Sequence, residues 1–144
     1  MSLDGVYDPD NIFARIVRGE IPSARIYEDA ATLAFMDAFP QARGHCLVVP
    51  KTSHARNLLD AEPQVLNEVI ATTQKVARAV RAALRPDGIT VSQFNGAPAG
   101  QTIFHLHFHI LPRWEGVPPG AHGRGQADFA ELAEMAKAIG AEIE

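Results

Sequence analysis

Along the chain the apolar positions recur with two different periods, and the switches between them mark out the elements. In 12–17, Ile12, Phe13, Ile16 and Val17 fall on one face of a helix, with Asn11 placed to cap it and Gly19 to stop it. Segments 24–28 and 31–38 read as strands joined by a tight turn at Asp29-Ala30, and alternation on the second puts Leu33, Phe35 and Asp37 on one side. An acid therefore closes an otherwise apolar face. The run Pro40-Gln41-Ala42-Arg43-Gly44 turns the chain into a third strand, 45–49, which Pro50 is expected to end. The period then becomes helical. Val65, Leu66, Val69, Ile70, Val76, Ala77, Val80 and Leu84 form an amphipathic stripe over 64–84, with Asp60 as the expected cap, Pro63 in the first turn and Pro86-Asp87-Gly88 as the stop. A fourth strand, 89–94, a Gly-rich loop from Asn95 to Gly100 and a fifth strand from His105 follow. The chain closes with a Pro- and Gly-rich loop, 112–126, and a last helix, 128–139. Strands paired by short turns, with one long helix inserted, predict an α+β domain on an antiparallel sheet of about five strands, flanked by a short N-terminal and a C-terminal helix.

The fifth strand carries the chemistry. His105-Leu106-His107-Phe108-His109-Ile110-Leu111 alternates imidazoles with large apolar side chains. In an extended strand the three rings line one face, and Leu106, Phe108 and Ile110 line the other, which alone is suited to a core. A structural face has no need of three titratable rings side by side, and mutual repulsion holds such rings neutral at neutral pH. Clustered neutral imidazoles act as nucleophiles, general bases or metal ligands.

Composition narrows the setting. At 144 residues the chain is one domain's worth. A formal charge of −4, from 13 basic and 17 acidic residues, with no run of Lys or Arg, gives no footprint for a nucleic acid polymer or an anionic membrane. No apolar run approaches the roughly 18 residues that span a bilayer, and the first residues lack the pattern of a signal peptide, so a cytoplasmic location is expected. Cys46, alone in the chain, sits in the apolar run Cys46-Leu47-Val48-Val49 and reads as a small core side chain. The first ten residues, polar and turn-rich, read as a loosely held arm.

The loop Asn95-Gly96-Ala97-Pro98-Ala99-Gly100-Gln101-Thr102 leads straight into the histidines. Small residues let backbone N–H groups approach an anion, and Thr102 adds a hydroxyl, so beside the imidazoles this loop is a candidate phosphate or oxyanion cradle. His45 offers a fourth ring. His54 and His122, among polar or Gly-rich neighbours, read as solvated.

The motif His105-Leu106-His107-Phe108-His109-Ile110-Leu111 resembles the signature of the histidine-triad (HIT) family, in which three histidines alternate with apolar residues. The resemblance extends through Asn11-Ile12-Phe13, Gly19-Glu20-Ile21-Pro22, Tyr27-Glu28-Asp29, Pro40-Gln41-Ala42, Gly44 to Lys51 and Ala99-Gly100-Gln101-Thr102, covering about 11–113. It divides the chain into an arm, 1–10, a HIT-like catalytic domain, 11–113, and a C-terminal loop and helix, 114–144, packed on the same domain.

The resemblance implies a nucleotide-binding hydrolase of the nucleoside phosphoramidase branch, with a purine nucleotide or nucleotide conjugate as ligand, no cofactor, and a homodimer as the assembly. It implies attack by His107 on the α-phosphate, giving a covalent nucleotidyl-histidine that water cleaves. His109 would hold phosphate oxygens, and His105 and His45 would orient His107 and fix its tautomer. Thr102 and the backbone around Gly100 and Gln101 would stabilise developing charge. Asp37 matches the carboxylate that reads the ribose hydroxyls, and Ile12, Phe13, Ile16, Phe35 and Leu47 match the apolar slot for the base. Phe94 stands where relatives place an Asn or Gln that contacts the nucleotide, so either Asn95 or Gln93 substitutes or that contact is absent. Asn11 and Ala14 stand where some bacterial relatives carry a zinc-binding Cys pair.

Three alternatives stay open from the residues. The leaving group could be a nucleotide, making the enzyme a dinucleoside polyphosphate hydrolase. Two or three of the histidines could instead ligate Zn²⁺. The domain could also bind a nucleotide with little turnover.

Overall fold

The computed structural model describes residues 2–118, 120 and 125–144, in the order α1 (Ile12–Val17), β1 (Arg25–Glu28), β2 (Thr32–Met36), β3 (Cys46–Pro50), α2 (Pro63–Leu84), β4 (Gly88–Ser92), β5 (Phe108–Arg113) and α3 (Phe129–Gly140). Short polar side chains set the ends of these elements. Asn11 Oδ1 accepts from the N–H of Ala14 at 2.9 Å, which caps α1, and Gly19 takes φ +80° just past its end. Between β1 and β2, Asp29 Oδ1 accepts from the N–H groups of Ala31 and Thr32, at 2.9 and 2.7 Å, and from the Thr32 hydroxyl. Burial opposes ionisation there, yet these donors and Tyr27 hold the Asp29 carboxyl below the usual carboxylate range.

The strands form one sheet in the order β1-β2-β3-β5-β4, with every neighbouring pair antiparallel, as the α+β reading predicts. Its two faces are covered by different elements. Ala34, Met36, Cys46, Val48 and Ile110 pack with Val69, Val76 and Val80 of α2 and Leu132, Ala136 and Ile139 of α3. On the opposite face Leu33, Phe35, Leu47 and Val49 pack with Phe13 and Ile16 of α1. Strands β2 and β3 are thus buried on both sides, which explains why their sequences are nearly unbroken apolar runs. Burial also raises the pKa of the Cys46 thiol, consistent with its reading as an unreactive core side chain.

Several sequence boundaries shift, each for a local reason. Helix α2 is capped at Glu62 without a side-chain bond, while Asp60 instead closes a capping box with Asn57 around the 3-10 turn Leu58–Asp60. On α2, Ile70 is exposed, and Thr72 and Thr73 take its expected place inside. They can be buried because Thr72 bonds the Thr32 hydroxyl at 2.7 Å and Thr73 donates to Val69 C=O at 2.8 Å. Pro50 lies within β3 opposite Thr32 rather than beyond its end. Pro112 and Arg113, expected in a loop, continue β5 opposite Ile89 and Gly88. Proline is tolerated because β5 ends there, beside the edge strand β4.

The largest departure concerns the histidine strand. Regular pairing starts at Phe108, so His105 and His107 precede β5 instead of standing on it. The neighbours explain this: β3 pairs only Val48, Leu47 and Cys46 with Phe108, His109 and Ile110, and β4 reaches no further than Ser92 opposite His109. Beyond Val48 the chain is held by other bonds, from Leu106 N–H to Ala55 C=O and between His105 Nε2 and the Pro50 carbonyl. The apolar side of the motif still points to the core, with Leu106 and Ile110 buried.

Both ends of the chain lie on this framework. The arm residues Ser2 and Leu3 bond Ala97 N–H and the Asn57 side chain, and Tyr7 stacks on His54 with ring centroids 4.6 Å apart. His54 is exposed as expected, whereas His122 lies outside the described residues. The segment before α3 is tied by Ala127 N–H to Ala38 C=O.

Candidate active site

Strands β2 and β3, helix α1, the loop after β4 and the start of α3 enclose a cavity of about 690 Å³. That is an ordinary size for a small-molecule site. Its apolar wall includes Ile12, Phe13, Ile16, Phe35 and Leu47, and its polar end is formed by Asp37, Thr102, His107 and His109. Alternation on β2 delivers Phe35 and Asp37 to the same wall, and α1 delivers Ile12, Phe13 and Ile16 from a single face. Phe13 sets its ring edge-on to His107, with centroids 4.8 Å apart.

The buried histidines form an ordered chain, and their partners fix each tautomer. His107 Nδ1 lies 2.6 Å from the carbonyl oxygen of His105, which can only accept, so Nδ1 carries the proton and the lone pair resides on Nε2. His105 Nε2 lies 3.1 Å from the Pro50 carbonyl and is likewise the donor, leaving Nδ1 as the acceptor for the Tyr7 hydroxyl at 2.8 Å. His45 is the reverse case. Its Nδ1 accepts from the N–H of Gln41 at 3.1 Å, so its proton is on Nε2 and is donated to His109 Nδ1 at 3.0 Å. His109 must then carry its own proton on Nε2. The two cavity-lining rings are therefore unlike: His107 offers a lone pair at Nε2, and His109 offers a donor at the corresponding atom.

Asp37 is oriented by the N–H of Phe39, which donates to Oδ1 at 2.8 Å, while Oδ2 lies 3.5 Å from His45 Nε2. Among the described residues, Asp37, His45 and His109 are the group with ligand atoms close enough for a metal ion, all within 4.8 Å of one another. The fit fails on hydrogen-bond chemistry. The His45 atom facing the other two is Nε2, which carries the proton that the Gln41 N–H forces upon it, so it has no lone pair for a metal.

Gly100 and Thr102 line the cavity, and Gly100 takes φ +107° with the Phe94 ring 3.6 Å from where a Cβ would stand. Asn95 and Gln101 do not line it. Asn95 accepts from Leu58 N–H and exchanges bonds with Gln93, and Gln101, 3% exposed, accepts from Gly96 N–H and donates to the carbonyls of Arg56 and Ile103. These two side chains brace the loop. Phe94 does reach the cavity, its ring 5.3 Å from that of His109. Sequence reasoning missed the arm residue Tyr7, the Gln41 N–H and the C-terminal wall of Gln126, Ala127, Phe129 and Leu132. No local periodicity signals any of them.

Burial pushes the His105 imidazole down to about 4, against the opposing hydrogen bond to Pro50. The folded state therefore excludes a proton that the unfolded chain binds below about pH 6.5, and stability falls as pH drops from 6.5 toward 4. By pH 4.5 this group costs about 2 to 3 kcal/mol. The carboxyls held low, such as Asp29 and Glu28, begin to cost stability only at lower pH. Urea unfolding should thus show a decline between pH 6.5 and 4.5 in the wild type that is smaller in His105→Gln; an equal decline in both would contradict the assignment.

A family model described as the HIT domain matches residues 18–116. A crystal structure of a HIT-like protein from Bartonella henselae is 50% identical and superposes with a TM-score of 0.92, covering 96% of this chain and 100% of that one. A protein from Sulfolobus tokodaii described as a hypothetical histidine triad nucleotide-binding protein is 33% identical with a TM-score of 0.82, covering 90% and 89% of the two chains. Adenylylsulfatase HINT3 of Arabidopsis thaliana is 38% identical over 106 residues, which make up 74% of this chain and 53% of that protein. With the domain model matched over most of its length and a relative of 50% identity superposing over nearly the whole of it, the chain belongs to the HIT family.

Proposed function

We propose that the protein hydrolyses a nucleoside phosphoramidate or a similar adenylated substrate at the α-phosphate, through a nucleotidyl intermediate on His107. The observation that carries this reading is the complementary pair of tautomers at the polar end of the cavity. His107, with Nδ1–H anchored on the His105 carbonyl, holds its lone pair at Nε2, the atom that would attack phosphorus. As the Nε2–P bond forms and the bond to the leaving group breaks, positive charge grows on the imidazole, and the carbonyl accepting from Nδ1 stabilises it. His109 would donate from Nε2 to an oxygen of the phosphoryl group. The leaving group departs with the bonding electron pair and takes up a proton from solvent. Water then attacks phosphorus and gives up a proton to solvent, the electron pair of the Nε2–P bond returns to the ring, and His107 recovers its starting tautomer. Thr102 and the backbone around Gly100 would attend the leaving group.

The apolar wall supports a base lying between α1 and the sheet, with Asp37 placed to accept from the ribose hydroxyls. The nucleotide-binding description of the Sulfolobus tokodaii neighbour and the adenylylsulfatase name of HINT3 agree with this class of substrate. The direct test is a turnover panel of adenosine and guanosine phosphoramidates, adenylated lysine and dinucleoside polyphosphates. Phosphoramidates or adenylated lysine should be the fastest; preference for dinucleoside polyphosphates would reassign the leaving group while keeping the chemistry at phosphorus. In the same assay EDTA should leave the rate unchanged, because the tautomer of His45 denies a metal its ligand. Activity lost in EDTA and restored by zinc would overturn that part of the mechanism.

A further inference from the structure

We propose that Tyr7 of the N-terminal arm is a positioning residue for this reaction, its hydroxyl fixing the ring of His105 and thereby the carbonyl that orients His107. The inference rests on His107 as the nucleophile. Tyr7 lies before residue 18, where the match to the HIT domain begins, and its partner His105 lies within that match.

The argument follows the protons. His105 Nε2–H is committed to the Pro50 carbonyl, so Nδ1 presents a lone pair, and the Tyr7 hydroxyl at 2.8 Å donates to it. His105 is only 2% exposed, so bulk solvent offers no ready substitute for that donor. Without the hydroxyl, Nδ1 is a buried acceptor lacking its bond, and the ring gains by moving or by changing tautomer. A changed tautomer would set the Nε2 lone pair against the Pro50 carbonyl, which is repulsive. In either case residue 105 shifts, and its carbonyl is the atom 2.6 Å from His107 Nδ1. The approach of a nucleophile is sensitive to such displacements.

The arm is built to hold this contact. Tyr7 stacks on His54 with planes 3° apart, and its ring also lies 5.7 Å from that of His105. Upstream, Leu3 and Ser2 are bonded to Asn57 and Ala97. Between them Gly5, at φ +155°, lets the chain lie where a Cβ would stand 2.7 Å from Arg56 Nη1.

Tyr7→Phe retains the stacking ring and removes one oxygen. Its kcat should fall about tenfold with KM within about twofold, since the loss acts on alignment rather than on binding. In ¹⁵N spectra of histidine-labelled protein without substrate, the His105 Nδ1 signal should move from its wild-type position. A kcat within twofold of wild type, or His105 nitrogens that do not move, overturns the proposal, even if the melting temperature drops. The spectrum needs no turnover, so it separates failure of the Tyr7 assignment from failure of the hydrolase reading, which would show as wild-type protein inactive across the whole substrate panel.

Discussion

His107→Ala should lose turnover by several orders of magnitude while binding nucleotide within about tenfold of wild type. The substitution removes the atom that forms the bond to phosphorus, an interaction realised only along the reaction path. Most contacts that would hold the ground state come from elsewhere: the wall formed by Phe13, Ile16, Phe35 and Leu47, the carboxylate of Asp37 and the loop at Gly100 and Thr102. Phe13 loses its edge contact with the ring, a modest cost because its own core contacts with Phe35 and Ile16 remain. Intact-mass measurement supplies the direct readout. Wild-type protein quenched during turnover should carry one nucleotidyl group, and His107→Ala should carry none. Near wild-type rate constants in the variant would rule out His107 as the nucleophile.

The second large effect concerns the sugar. Asp37 is 5% exposed and is turned by the Phe39 N–H, and in the proposed reading its carboxylate would accept from the cis-diol of the ribose. A hydrogen bond to a charged group contributes about 1.5–3 kcal/mol. Ribonucleotide substrates should therefore exceed 2′-deoxyribonucleotides by about ten- to a hundredfold in kcat/KM, each 1.4 kcal/mol being about a factor of ten. In Asp37→Ala the preference should largely vanish. Equal wild-type rates on both sugars would show that the ribose is not read here, and the apolar ring of Phe94 beside His109 would be the first suspect.

Features governed by local period were legible in the sequence. Asn11 caps α1 as expected, Asp37 follows Phe35 onto the cavity wall, and Leu106 and Ile110 turn inward behind the histidines. Features set by contacts between distant segments were not. The alternation of the triad predicted three rings in a row on one strand face, but a strand exists only where a neighbour pairs with it, and neither β3 nor β4 extends to His105. The resemblance set Asn95 and the backbone around Gln101 beside the nucleotide, yet neither residue lines the cavity and both side chains are engaged elsewhere. Their bonds go to Arg56, Ile103 and Leu58, whose nearness is a product of the fold. The same holds for Tyr7, which meets His105 across 98 residues of sequence.

Main-chain atoms hold three of the four histidines: the carbonyls of His105 and Pro50 and the N–H of Gln41. These groups survive every ordinary side-chain replacement, so an alanine scan across the domain would pass over the atoms that decide which ring nitrogen reacts. It would rank His107 high and Pro50 or Gln41 low, and the low ranks would reflect the limits of the genetic code's reach. Backbone chemistry is the appropriate probe. Replacing the 41 amide by an ester removes the one N–H that sets His45, and proline at 41 would remove it genetically, at the cost of fixing φ. Drift among the side chains of 41–43 is accordingly tolerable so long as the path of the chain is kept, while Gly44, at φ +83° with Leu84 and Pro112 where a Cβ would stand, is fixed; the turn can vary in sequence while the protonation pattern of the site does not.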